Sequence, residues 1–173
     1  MKTILFDLLN AQPALTSKYH GGGEYIKTVF KKLAEDYLET IRLIVFYDKD
    51  KFLDEWICNL IEHKRIQVYD IKNISEISVI LKNETIDVFY SGLPYYYEKN
   101  QFPDNVRIRG TIHGLRFLEL PADKYAYMYS KGKSSIKEKI RCLVKKSYQK
   151  KKKKDFYSCL ELLDDVVCVS NHT

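Results

Sequence analysis

Apolar positions along the chain fall into short runs, and between them the period changes from that of a strand to that of a helix. The opening run TILFDLL predicts a buried strand. In SKYHGGGEYIKTVFKKLAEDY, residues Tyr25, Ile26, Val29, Phe30, Leu33 and Tyr37 recur at helical spacing, which predicts an amphipathic helix beginning just after Gly21, Gly22 and Gly23. IRLIVFYD, from Ile41 to Asp48, is a second strand rich in β-branched and aromatic residues. KFLDEWICNLIEH then places Phe52, Leu53, Trp56, Leu60 and Ile61 on one helical stripe. IQVYDI reads as a third strand, and SEISVILKNE as a short helix capped by Ser75. IDVFYSG and VRIRGTIHG give strands four and five, separated by the loop LPYYYEKNQFPDN. A long helical region follows, and DVVCVSNHT supplies a last apolar strand.

Alternation of strand and helix implies parallel strands joined by helical crossovers, hence an α/β domain with an open parallel sheet and helices on both faces. In such sheets ligands bind outside the carboxyl ends of the strands. The residues expected there are polar or small: Asp7 onward, Ser91 and Gly92, His113 and Gly114, and Ser170.

The 173 residues are enough for one domain with a substantial core, and a hydrophobic content of 45% excludes a disordered chain. A formal net charge of +6 favours an anionic partner without choosing among nucleotide, nucleic acid, acidic glycan and lipid head group. Cys58, Cys142, Cys159 and Cys168 form no C-x-x-C pair and do not cluster with histidine, so no metal site is expected. Cysteines among apolar neighbours read as small core residues in a reducing compartment. The N-terminal run resembles a signal peptide in outline, but Asp7 and Asn10 interrupt it, and no run reaches the roughly 18 apolar residues of a membrane span. The expectation is a soluble, cytoplasmic protein.

Glycines at a helix start let an anion such as phosphate approach unpaired N–H groups and the positive end of the helix dipole. The run is neither a dinucleotide fingerprint nor a P-loop: Ile26 stands where the first needs a third small residue and where the second needs the glycine before Lys27. His113 is a candidate hydrogen-bonding group for a polar ligand. Arg116 and Glu119 are spaced to pair on a helix, while Glu119 and Asp123 are alternatively placed to face an acceptor. Lys150, Lys151, Lys152, Lys153 and Lys154 belong to a lysine block that reads as a solvated helix end or as a peripheral contact with anionic lipid. No nucleic-acid motif accompanies it, so nucleic acid is not an expected partner. Tyr95, Tyr96 and Tyr97 either stack on a sugar ring or pack against the domain.

GGGEY on a long first loop, TIHG at the end of a central strand and VVCVSNHT near the end occur in an order that resembles the N-terminal half of a retaining glycosyltransferase of family 4, with the two-domain GT-B fold. The resemblance implies a Rossmann-like domain over residues 1–173, a single half of a GT-B fold. It further implies that Gly21, Gly22 and Gly23 approach the donor diphosphate, and that His113 contacts the donor sugar near the reacting centre. The partners so implied are a nucleotide-sugar substrate, a glycan or lipid-linked acceptor, and a C-terminal donor-binding domain of the same chain. No separate cofactor is implied. The resemblance places a Glu-x7-Glu motif in the donor half, and the expectation is that these residues end before that segment, so little turnover is expected from them alone. Arg116, Glu119 and Asp123 fall in the LELPAD region, which looks like a subgroup feature. The alternatives are a stand-alone α/β module that binds a nucleotide or acidic glycan, and a domain that associates with anionic membranes.

Overall fold

The computed structural model describes residues 1–13, 20–113, 147, 150, 151 and 153–169. Six parallel strands form one sheet: β1 (Lys2–Asp7), β2 (Ile41–Tyr47), β3 (Gln67–Asp70), β4 (Val88–Ser91), β5 (Arg107–Ile112) and β6 (Asp165–Cys168). Their spatial order is β3-β2-β1-β4-β5-β6. Helix α1 (Gly21–Asp36) links β1 to β2, α2 (Glu55–His63) links β2 to β3, and α3 (Ile77–Asn83) lies between β3 and β4. A further helix, α4, covers 153–162 and leads into β6. This is the expected α/β class, a Rossmann-like open parallel sheet covered on both faces.

The two-residue period of a strand sorts the core into two layers. Phe6, Val45 and Tyr90 point to the face covered by Ile26, Phe30 and Ala34 of α1 and by Ile57 and Ile61 of α2. Leu5, Ile44, Phe46, Phe89 and Ile108 point to the other face, where Ile77 and Ile80 of α3, Tyr97, Phe102 and Leu162 of α4 cover them. Strands buried on both sides are apolar at nearly every position, which is why β1, β2 and β4 stand out in the sequence.

Several local expectations are corrected. The glycines are not ahead of the first helix; they are its first turn. On α2 the buried residues are Ile57 and Ile61, whereas Phe52 and Trp56 are exposed. Helix formation begins only at Glu55, so Phe52 lies before the helix and does not take part in its period. Ser75 is not a helix cap but sits inside the short 3₁₀ turn Ile74–Glu76, and α3 starts directly from that turn. DVVCVSNHT reads as an apolar strand, yet Val166 and Val167 of β6 are exposed, and among the described residues β6 is an edge strand paired with β5 alone. Arg107 and Arg109 fasten it by pairing with Asp165 at 2.6 and 2.8 Å.

Gly92 follows β4 where α1 crosses the sheet, and a Cβ there would collide with the buried side chain of Ile26. Gly92→Ala is therefore expected to cost about 1–3 kcal/mol by overpacking. Ile26→Ala, which removes the Cγ1 and Cδ1 atoms that a Cβ on Gly92 would strike, should make the Gly92→Ala penalty smaller than in the parent chain; urea unfolding of the double-mutant cycle measures the difference.

Candidate functional site

The strand order reverses between β1 and β4, and a parallel sheet opens a crevice at its carboxyl end where that happens. Asp7, the last residue of β1, stands there with its carboxylate fully buried. Ser91 Oγ donates to Asp7 Oδ2 at 2.6 Å, Tyr97 Oη donates to it at 2.9 Å, and Asn10 donates both its side-chain amide and, at 3.1 Å, its backbone N–H. Burial raises the Asp7 pKa above its ordinary value, and the bonds from Ser91, Asn10 and Tyr97 only partly offset that. Tyr97 is itself pushed well up by burial and by the adjacent carboxylate. These groups are mutually satisfied, so Asp7 anchors the crevice floor rather than offering itself to a ligand.

Two of the glycines at the start of α1 have packing reasons. A Cβ on Gly23 would lie 2.8 Å from the His20 ring and 3.1 Å from the Ala11 carbonyl oxygen; one on Gly22 would lie 3.1 Å from the Leu93 side chain. A Cβ on Gly21 would meet nothing within 4 Å. His20 is the N-cap: its Nδ1 accepts from the Gly23 N–H at 3.0 Å. Of the glycine amides proposed to cradle a phosphate, that of Gly23 is thus already engaged. The sequence reading passed over His20, although its position directly before the glycine run was a signal.

Lys27, one turn further on, is nearly fully buried. Its ammonium lies 2.7 Å from Glu24 Oε1 and 2.5 Å from Asp54 Oδ2. Asp54 Oδ2 lacks a well-angled hydrogen bond, but at that separation the ion pair is decisive. Burial pulls the Lys27 pKa down, and the Asp54 and Glu24 contacts outweigh it and leave it raised. Lys27 is a strut between α1 and the start of α2, not a phosphate ligand. The missing P-loop glycine agrees with this.

His113 leaves β5 on the α1 side. Its Nε2–H donates to the Gly92 carbonyl at 2.8 Å, and its ring meets Tyr25 edge-on with centroids 5.0 Å apart. A carbonyl only accepts, so this bond fixes Nε2 as the protonated nitrogen and leaves Nδ1 of the neutral ring as an acceptor. Among the described residues no group pairs with Nδ1. With Nε2 engaged by the backbone, the ring offers a polar ligand an acceptor at Nδ1, suited to a hydroxyl group. Tyr25 belongs to the first turns of α1, so the fold brings His113 and the glycine helix start together.

Arg116, Glu119, Asp123 and Lys152 lie outside the described residues. Lys150, Lys151, Lys153 and Lys154 are exposed helical residues, away from the core clusters. Among the described residues there is no grouping of histidine, cysteine and carboxylate able to hold a metal, and no helix is long and apolar enough to cross a membrane. Comparison with protein-family models, curated proteins and solved structures finds no match to this chain.

Two measurements probe this architecture. His20→Ala should cost about 1 kcal/mol in urea unfolding, and His20→Asn, which keeps a capping acceptor, should retain most of that stability. For Asp7, the folded-state pKa lies above the unfolded value near 3.8, so the folded chain holds the extra proton between the two. Stability is favoured below 3.8 and falls as pH rises through that window. Asp7→Asn lacks this titration, so the stability gap between parent and variant should narrow from about pH 4 upward.

Proposed function

We propose that this chain is the acceptor-side domain of a retaining glycosyltransferase, transferring a sugar from a nucleotide-sugar donor to a glycan or lipid-linked acceptor. The observation that carries the reading is the placement of His113 against Tyr25, beside the glycine start of α1 at the carboxyl edge of the sheet. In this reading Gly21 and Gly22 let the donor diphosphate approach the N-terminal amides of α1, and His113 Nδ1 accepts a hydroxyl of the donor sugar. As the bond from the sugar to the diphosphate breaks, the acceptor oxygen bonds to the same carbon from the same face and its proton passes to the departing diphosphate oxygen. Fixed backbone dipoles stabilise the departing charge without reorganising. A second domain of the same polypeptide supplies the remaining nucleotide contacts. The exposed Lys150, Lys151, Lys153 and Lys154 suit peripheral contact with anionic lipid, where a lipid-linked acceptor resides.

Gly21 gives the sharpest test, because it has no packing reason to be glycine. The natural polypeptide that contains these residues is to be assayed for nucleoside diphosphate release from UDP-glucose, UDP-N-acetylglucosamine and GDP-mannose, with extracted membrane lipid as acceptor. Gly21→Ala should leave thermal stability unchanged or slightly raised and reduce turnover at least about tenfold, while His113→Ala should lower kcat about 10²-fold. Release that is absent with every donor, or indifferent to both substitutions, would overturn the proposal.

A further inference from the structure

On the opposite face of the sheet from His113, the loop after β4 and helix α4 enclose a groove of about 440 Å³. The separation follows from strand geometry: Ile112 packs with Tyr95, Phe156 and Cys159, whereas His113, the next residue, turns toward Tyr25. That volume is within the range usual for small-ligand sites.

The three adjacent tyrosines have separate roles here. Tyr97 is buried and donates to Asp7, and Tyr95 packs partly buried against Phe156 and Cys159 as a wall. Tyr96 is 68% exposed, leaving a ring on the groove with no packing role. The rim is braced: the Glu98 side chain accepts from the Gln101 backbone and the Gln101 side chain accepts from the Glu98 N–H, closing a reciprocal cap on the turn Lys99–Gln101. Across the groove α4 presents Asp155, Ser158 and Glu161, for which no partner exists among the described residues. Burial pushes the Cys159 thiol up to about 11, so it is a neutral wall and not a nucleophile.

We propose that this groove is a saccharide-binding site, with Tyr96 as the ring platform and Asp155, Ser158, Glu161 and Lys99 as partners for hydroxyl groups. Each hydroxyl of a sugar both donates and accepts, and the lining offers both complements: carboxylates that accept, an ammonium that donates and a serine that does either. Among the described lining residues, an anion would meet Glu98, Asp155 and Glu161 against a single lysine. A polyamine would meet the carboxylates too, but Lys99 on the facing loop repels it. The faces of a sugar ring carry C–H groups that lie on an aromatic surface, as Tyr96 provides.

The test is an amide NMR titration of the 173-residue chain with maltose, cellobiose and N,N′-diacetylchitobiose, with spermidine as the cationic comparator. At least one disaccharide should shift Tyr96, Ser158 and Glu161 with Kd of about 1–10 mM. Tyr96→Ala should weaken binding at least about tenfold and Tyr96→Phe by no more than about threefold, since stacking needs the ring rather than the hydroxyl. Tyr96 is exposed, so these variants keep the fold, which their amide spectra verify. Glu161→Gln should weaken binding several-fold, and His113→Ala should leave it unchanged, which separates this site from the transfer site. No shift at the groove with any disaccharide up to about 50 mM, tighter binding of spermidine, or indifference to Tyr96→Ala would each overturn the assignment.

Discussion

A carboxylate without access to water is costly to hold, and Asp7 is such a group at the middle of the sheet. Its hydrogen-bond donors come from separate parts of the chain: Asn10 just after β1, Ser91 at the end of β4 and Tyr97 in the loop beyond. Satisfying Asp7 therefore dictates how the chain leaves both central strands. The turn Leu9–Ala11 closes over β1 because Asn10 is drawn back to Asp7, and the loop after β4 folds inward because Tyr97 must reach the same oxygen as Ser91. Ser91 Oγ also accepts from the Leu93 N–H at 3.2 Å, which holds Leu93 in place.

From that anchor the geometry of α1 follows. Leu93 lies against Gly22, and Gly92 lies against Ile26, so the helix approaches the loop at distances that side chains on those glycines would prevent. The Gly92 carbonyl meanwhile receives the His113 Nε2–H. One residue thus touches α1 through its bare Cα and orients His113 through its oxygen. The position of His113 relative to the helix start is a consequence of packing around Gly92, with the Asp7 cluster underneath.

Much of this fold was legible in the sequence because a parallel sheet buried on both faces writes itself as apolar runs. Strands β1, β2, β4 and β5 were visible in that way, as was the burial of Ile26 and Phe30 on α1. What failed had specific causes. The stripe through Phe52 and Trp56 assumed a helix that had not yet begun. Lys27 could not be recognised as buried, because its partner Asp54 lies at the start of a different helix and charge alone predicts exposure. The edge position of β6, which among the described residues pairs with β5 alone, is a matter of strand order that composition does not encode. At the candidate site, His113 and the glycines were found from their positions at element ends. Their physical work was partly misread: Gly22 and Gly23 serve close packing, and the imidazole donor serves the backbone.

The strength of the proposed diphosphate site is bounded by what surrounds it. Lys27, the cation in the early turns of α1, is committed to Glu24 and Asp54, and the Gly23 amide is committed to His20. An anion arriving at Gly21 and Gly22 thus meets backbone dipoles rather than these groups. A helix terminus contributes about 0.3–1 kcal/mol to an exposed anion and about 2 kcal/mol in favourable, partly buried geometry. Millimolar affinity already requires about 4 kcal/mol. The α1 terminus alone falls short of that, so a donor can be held at this edge only if most of the binding free energy comes from elsewhere. In the proposed reading that source is the second domain, and the role left to this one is to shape the approach of the sugar and its acceptor.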